Sequence, residues 1–139
     1  MDTWSSKYVQ VLENLSAKNL QSLGDVTAHS VCFVDPFNDT RTQLAFISIM
    51  QDMFTQLSSV KFVVHTAVQQ DDTAFIHWTF HADSRFTGPF DFQGTSLLKA
   101  NEEGKVVLHH DFWDGSILMQ KVPVLGSIIK RLRIKLGHK

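Results

Sequence analysis

Apolar residues recur along this chain with two different periods, and the change of period divides it. In residues 4–15, Trp4, Tyr8, Leu12 and Leu15 fall three and four apart, which predicts an amphipathic helix. Ser16 can cap a second short helix carrying Leu20 and Leu23, with Gly24 as its C-terminal stop. Residues 30–34 form a short β-prone run that ends in the turn formers of Asp35-Pro36-Phe37-Asn38-Asp39. Thr42 can cap a third helix, whose stripe is Leu44, Ile47, Met50, Phe54 and Leu57, with Met53 beside it.

After Ser58-Ser59 the period falls to two. Residues 60–69 alternate, with Phe62, Val64, Thr66 and Val68 on one side, and Gln70-Asp71-Asp72 makes a turn into a second strand over 73–82. Thr87-Gly88-Pro89 breaks the pattern. A third strand over 90–100 sets Phe90, Phe92, Gly94, Ser96 and Leu98 on one face and Asp91, Gln93, Thr95 and Lys99 on the other. Asn101 to Gly104 is a hairpin turn, residues 105–113 form a fourth strand, and a last helix begins at Pro123. Helices first and hairpin-connected strands after predict an α+β fold with an antiparallel sheet covered on one face. Strong twist in such a sheet, with helices closing its concave side, makes a cone-like internal pocket suited to a small molecule.

Composition narrows this picture. The chain has 139 residues, of which 43% are hydrophobic and 11% aromatic, enough for one domain with a sizeable core. A single cysteine, Cys32, excludes an internal disulfide framework and a cysteine-rich zinc site, and it reads as a buried strand residue. Without an uninterrupted apolar run of about 18 residues, no transmembrane helix is expected. The start, Met1-Asp2-Thr3-Trp4, has an early acid and no basic stretch, unlike a secretion signal, so a reducing cytoplasm is the expected compartment.

Net charge is −1, yet it is unevenly spread. Residues 1–120 carry seven Lys and Arg against fourteen Asp and Glu, whereas residues 121–139 carry six Lys and Arg and no acid. A uniformly basic nucleic-acid binder is thereby excluded. In the tail, Leu125, Ile128, Ile129, Leu132 and Leu136 share one face, Lys130, Arg131, Arg133 and Lys135 cover the rest, and Ile134 stands among the cations. Such a helix either packs on the domain with a solvated basic face or offers a surface to anionic lipid or an acidic partner.

Period two also puts His109, Asp111 and Trp113 on one face of the last strand, where the first two can work as an acid/base pair or simply bind each other. His77 and His81 are four apart on a strand, about 13 Å, too far to share one ion. No metal is expected.

Taken together, Phe33-Val34-Asp35-Pro36-Phe37-Asn38-Asp39 after two helices, His77-Trp78-Thr79-Phe80, Gly94-Thr95-Ser96-Leu97-Leu98, Glu103-Gly104-Lys105-Val106-Val107 leading into His110-Asp111-Phe112-Trp113-Asp114, and Pro123-Val124-Leu125-Gly126 resemble the nuclear transport factor 2-like superfamily. The resemblance is to its SnoaL-like and ketosteroid-isomerase-like branch and covers nearly the whole chain. It implies a cystatin-like roll: residues 1–120 as the α+β domain and 121–139 as a basic helix appended to it. By analogy with the isomerases, Asp35 before Pro36 matches the general base and Tyr8 the oxyanion-hole tyrosine. Ser96 stands where those enzymes carry a protonated acid, a departure that counts against steroid isomerisation. Asp111 lies where SnoaL-like cyclases place an acid, Trp113 matches a pocket wall, and His109 faces the pocket beside them. Trp78 fits either the pocket or the outer face of the sheet; Phe54 and Phe92 complete the expected aromatic lining. The resemblance implies a small hydrophobic ligand and a homodimer. It implies either cofactor-independent chemistry of the isomerase, cyclase or dehydratase type, or a non-catalytic binding or scaffold module.

Overall fold

The computed structural model describes residues 3–121 and 125–137. Helix α1, Trp4–Asn14, starts at Thr3, whose hydroxyl accepts from the Ser6 amide at 3.2 Å, and it buries Tyr8 and Leu12. Helix α2, Ser22–Val26, comes later than expected and contains Gly24 instead of ending there. The cause is local. Asn19 accepts from the Ser16 amide through Oδ1 and donates to the Asn14 carbonyl through Nδ2. Residues 16–20 are thus held in turns that compete with a helix.

Strand β1, Thr27–Val34, leads through the two-residue strand β2, Asp39–Thr40, to helix α3, Gln43–Gln56. As expected, Thr42 caps α3 by accepting from the Ala45 amide at 3.1 Å. Then come β3, Ser58–Gln70; β4, Thr73–Ser84; β5, Gly88–Ala100; and β6, Val106–Phe112. A short helix α4, Ser116–Met119, absent from the sequence reading, precedes α5, Leu125–Leu136. Pro123, the expected helix start, lies outside the described residues.

The six strands form one sheet in the order β2-β1-β6-β5-β4-β3. Every pairing is antiparallel except one: β1 runs parallel to β6, with Phe33 opposite His109. A hairpin joins β1 to β2 on one side, but none joins it to β6, because the chain goes on through α3 to the far edge of the sheet. Strand β1 is therefore free to dock beside the last strand in either direction.

Along β5 the expected alternation holds. Phe90, Phe92, Gly94, Ser96 and Leu98 are buried, while Asp91, Gln93 and Lys99 are exposed. In β3 it fails past Val64. A bulge between Val64 and Thr66 shifts the register against β4, so Phe62 and Val64 face inward while Thr66 and Val68 do not. The carboxylate of Glu13 on α1 accepts from the Val64 amide there at 2.9 Å.

The core fills the concave side, under α1 and α3. Phe33 of β1 stacks on Phe46 of α3 at 4.5 Å between centroids, both essentially buried. Each such phenyl contributes about 1.5–3 kcal/mol by leaving water. No described helix is long and apolar enough to cross a membrane.

Candidate functional site

Between the concave face of β3–β6 and helix α3 lies a cavity of about 580 Å³. Its walls are aromatic. Trp113 stacks on Phe92 at 4.1 Å, Phe92 meets the edge of Trp78 at 5.9 Å, and Phe62 leans on Trp78 at 5.1 Å. Phe54 of α3 lines the opposite side. Phe37 and Phe86, both lining residues, are largely exposed and mark the opening. The question of which way Trp78 faces is answered by its position: it is 2% exposed and points into the cavity side.

Gly94 makes that position available. The indole of Trp78 crosses directly over it, and a Cβ there would stand 2.5 Å from Cζ2. Alternation along β5 puts Gly94 on the same face as Phe92 and Ser96 but gives it no task. Its signal was in the hairpin: a turn centred on Phe86 puts Gly94 opposite Trp78, as the pairing does.

Glu13, Asp52 and Gln56 touch the cavity from exposed positions, whereas His109 and Asp111 reach it from the floor. These two belong to a hydrogen-bonded chain spanning four elements. The Tyr8 hydroxyl of α1 is 2.6 Å from Nδ1 of His109, and Nε2 of His109 is 2.6 Å from Oδ1 of Asp111. From the other side, Nε1 of Trp78 donates to the Ser96 hydroxyl at 2.8 Å, and Ser96 donates to the same Oδ1 at 2.5 Å.

The donors assign the protons. Indole N–H can only donate, so Ser96 receives from Trp78 and passes its own proton to Asp111. An ionised Asp111 accepts from Nε2–H, and in the neutral imidazole Nδ1 is then the acceptor and Tyr8 its donor. Burial holds the Tyr8 phenol well above its ordinary pKa, and the Asp111 charge adds to the rise, so Tyr8 remains a neutral donor. Two chains of donors thus end on Oδ1. Oδ2 receives no hydrogen bond among the described residues, and the Asp111 side chain, which lines the cavity, is 16% exposed.

The predicted residues therefore separate. Asp111, His109, Trp113, Trp78, Phe54 and Phe92 line the cavity. Tyr8 and Ser96 are fully buried behind it, with both hydroxyls engaged inside the chain. Asp35 borders the cavity, but its carboxylate folds back on its own loop. Oδ1 accepts from the amides of Phe37 and Asn38 at 2.8 and 2.7 Å, and the Asn38 side chain donates to both oxygens. That is the turn chemistry an Asp-Pro-Phe-Asn run favours. Outside the cavity, His77 bonds Gln93 and Cys32 is half-buried on β1. The bond joining Tyr8 to this site had no sequence signal, because it links residues about 100 positions apart, whereas Ser96 and Asp111 face each other across the Asn101–Gly104 hairpin.

The same architecture recurs in solved structures. A hypothetical protein with a ketosteroid isomerase-like fold from Catenulispora acidiphila DSM 44928, in complex with trimethylamine, superposes with TM-score 0.74 at 15% identity. The match covers 88% of this chain and 96% of that one. A nuclear transport factor 2-like protein of unknown function from Burkholderia pseudomallei K96243 gives TM-score 0.77 at 10% identity, over 89% and 100%. An LEH-like epoxide hydrolase of M. tuberculosis gives 0.68 at 10% identity, over 97% and 93%. At these identities the likeness is one of fold. No curated protein matches the chain in sequence. Among sequence families, the one described as the SnoaL-like domain matches residues 8–109.

Proposed function

The chain belongs to the SnoaL-like domain family, and from that premise we propose that its cavity binds a small, mainly apolar molecule on which Asp111 moves a proton. The fold supports several chemistries, so the residues must carry the choice. The observation that carries it is the convergence of two donor chains on one oxygen of Asp111, a cavity-lining residue whose other oxygen takes no hydrogen bond among the described residues. A carboxylate held in one orientation inside aromatic walls is positioned to take a proton from a carbon next to a carbonyl and to return it elsewhere. That is a step common to isomerisation, cyclisation and dehydration. His109 and Ser96 orient the carboxylate; Tyr8 and Trp78 orient those two in turn. Asp35 serves the loop at the opening.

A second reading has its own support. An enolate oxygen needs a donor, and the hydroxyls of Tyr8 and Ser96 are both committed behind the wall. A site with a base and no free donor suits a binding module without turnover.

Proton exchange separates the two. An apolar ketone such as 2-tetralone is held with the protein in deuterium oxide, and loss of its α-proton signals is followed by NMR. Base chemistry predicts accelerated exchange that falls about 100-fold or more in Asp111→Asn, with unchanged binding of the ketone. Exchange as fast in the variant removes Asp111 as the base. Binding without accelerated exchange in the native protein favours the binding module.

A further inference from the structure

We propose that helix α5 docks the protein on an anionic bilayer surface. The helix exposes large apolar side chains that a water-facing helix would hide: Ile128 and Leu132 are 49% and 47% exposed, and Leu136 is 82% exposed. These three recur at intervals of four and form one stripe along the axis. Lys130, Arg131 and Lys135, all exposed, lie around that stripe, and the helix contains no acidic residue. Ile134, 72% exposed, stands among the cations.

Charge and shape together select the occupant. A nucleic acid would satisfy the cations and leave the apolar stripe in water. A bilayer with anionic headgroups takes both, burying the stripe at the acyl boundary while the long basic side chains reach back to the phosphates. Each cation near such a surface strengthens the attachment, and salt weakens it.

The helix also contacts the segment that follows the site. The Arg133 guanidinium lies 3.3 Å from Oδ2 of Asp114 and reaches the Ser116 hydroxyl. Asp114 directly follows Trp113 of the cavity wall, and Gly115 sits against the ring of Phe37 at the opening. Docking through α5 therefore brings the cavity opening close to the lipid, where an apolar ligand is most concentrated.

The test is co-sedimentation of the full chain with vesicles of phosphatidylcholine alone, or mixed in equal parts with phosphatidylglycerol, at low and high salt. Binding is expected to the mixed vesicles only and to fade with salt. Lys130→Glu/Arg131→Glu, which leaves Arg133 in place, is expected to weaken it at least about tenfold. Leu132→Ser/Leu136→Ser is expected to weaken it as well, with circular dichroism confirming that both variants keep their helix content. Equal binding to both vesicle types, indifference to Lys130→Glu/Arg131→Glu, or no sedimentation with mixed vesicles at low salt overturns the proposal. Heparin binding or self-association in place of vesicle binding overturns it too, and assigns α5 to a polyanion or to the acidic body of a second copy.

Discussion

At Gly94 the absence of a side chain sets where the indole of Trp78 lies against the sheet. The indole of Trp78 occupies the space a Cβ would take and, from there, reaches the Ser96 hydroxyl. Gly94→Ala forces the ring aside or bends the strand. Overpacking of this kind costs about 1–3 kcal/mol, and urea denaturation should register a loss in that range. Residue-scale legibility follows the same logic. His109 and Asp111 could be placed on one face from alternation alone, because side chains on a strand have period two. Alternation alone does not place Trp78, since large side chains occupy both faces of β4; the hairpin that sets it opposite Gly94 does. Asp35 shows a different limit: its neighbours Phe37 and Asn38 identified a turn, but whether a carboxylate in a turn faces a ligand or its own amides depends on loop geometry.

Whole elements were legible where a cap and a stripe agree. In α3, the Thr42 cap and the stripe from Leu44 to Leu57 specify the same helix, although Leu44 is exposed and the buried residue is Phe46, outside that stripe; α3 supplies the cavity wall opposite the sheet. Thr42→Ala removes the acceptor for the Ala45 amide and should cost about 1 kcal/mol, measurable as a lower urea midpoint with an unchanged slope. In α2 the signals disagreed. Ser16 and Gly24 suggested boundaries, while Asn19 took the backbone groups that a helix starting at Ser16 would have needed. For β3 the alternation was read correctly up to Val64. The bulge beyond it could not be foreseen, since it answers to pairing with β4 and to Glu13 on α1, both distant in sequence. The direction of β1 was equally hidden, because pairing direction is a property of two strands and the partner of β1 lies at the other end of the chain.

On the scale of the molecule, α+β class and a helix-covered concave sheet follow from the order of periods, but the donor chain that links α1 to β4, β5 and β6 emerges only when the sheet closes. Its Tyr8 ties titration to global stability. Burial raises the phenol's folded-state pKa, so the folded chain keeps this proton more tightly than the unfolded one. The resulting stabilisation is complete below the ordinary tyrosine pKa of about 10 and is lost as pH climbs beyond it. Since Tyr8 is the sole tyrosine, phenolate absorbance should appear together with unfolding and not before it. Tyr8→Phe should lose this component of the alkaline decline while destabilising the protein at neutral pH by about 1–3 kcal/mol, through the unpaired Nδ1 of His109. The parallel docking of β1 on β6 has a further consequence, for assembly. Thr27–Val34 meets its partner only at Val106–Phe112, so during vectorial synthesis β1 waits with its β6 edge open while most of the chain is made. The strand that relieves this wait also brings His109 and Asp111. Completion of the sheet and arrival of the candidate acid/base pair are therefore one event, and an intermediate that lacks β6 has neither.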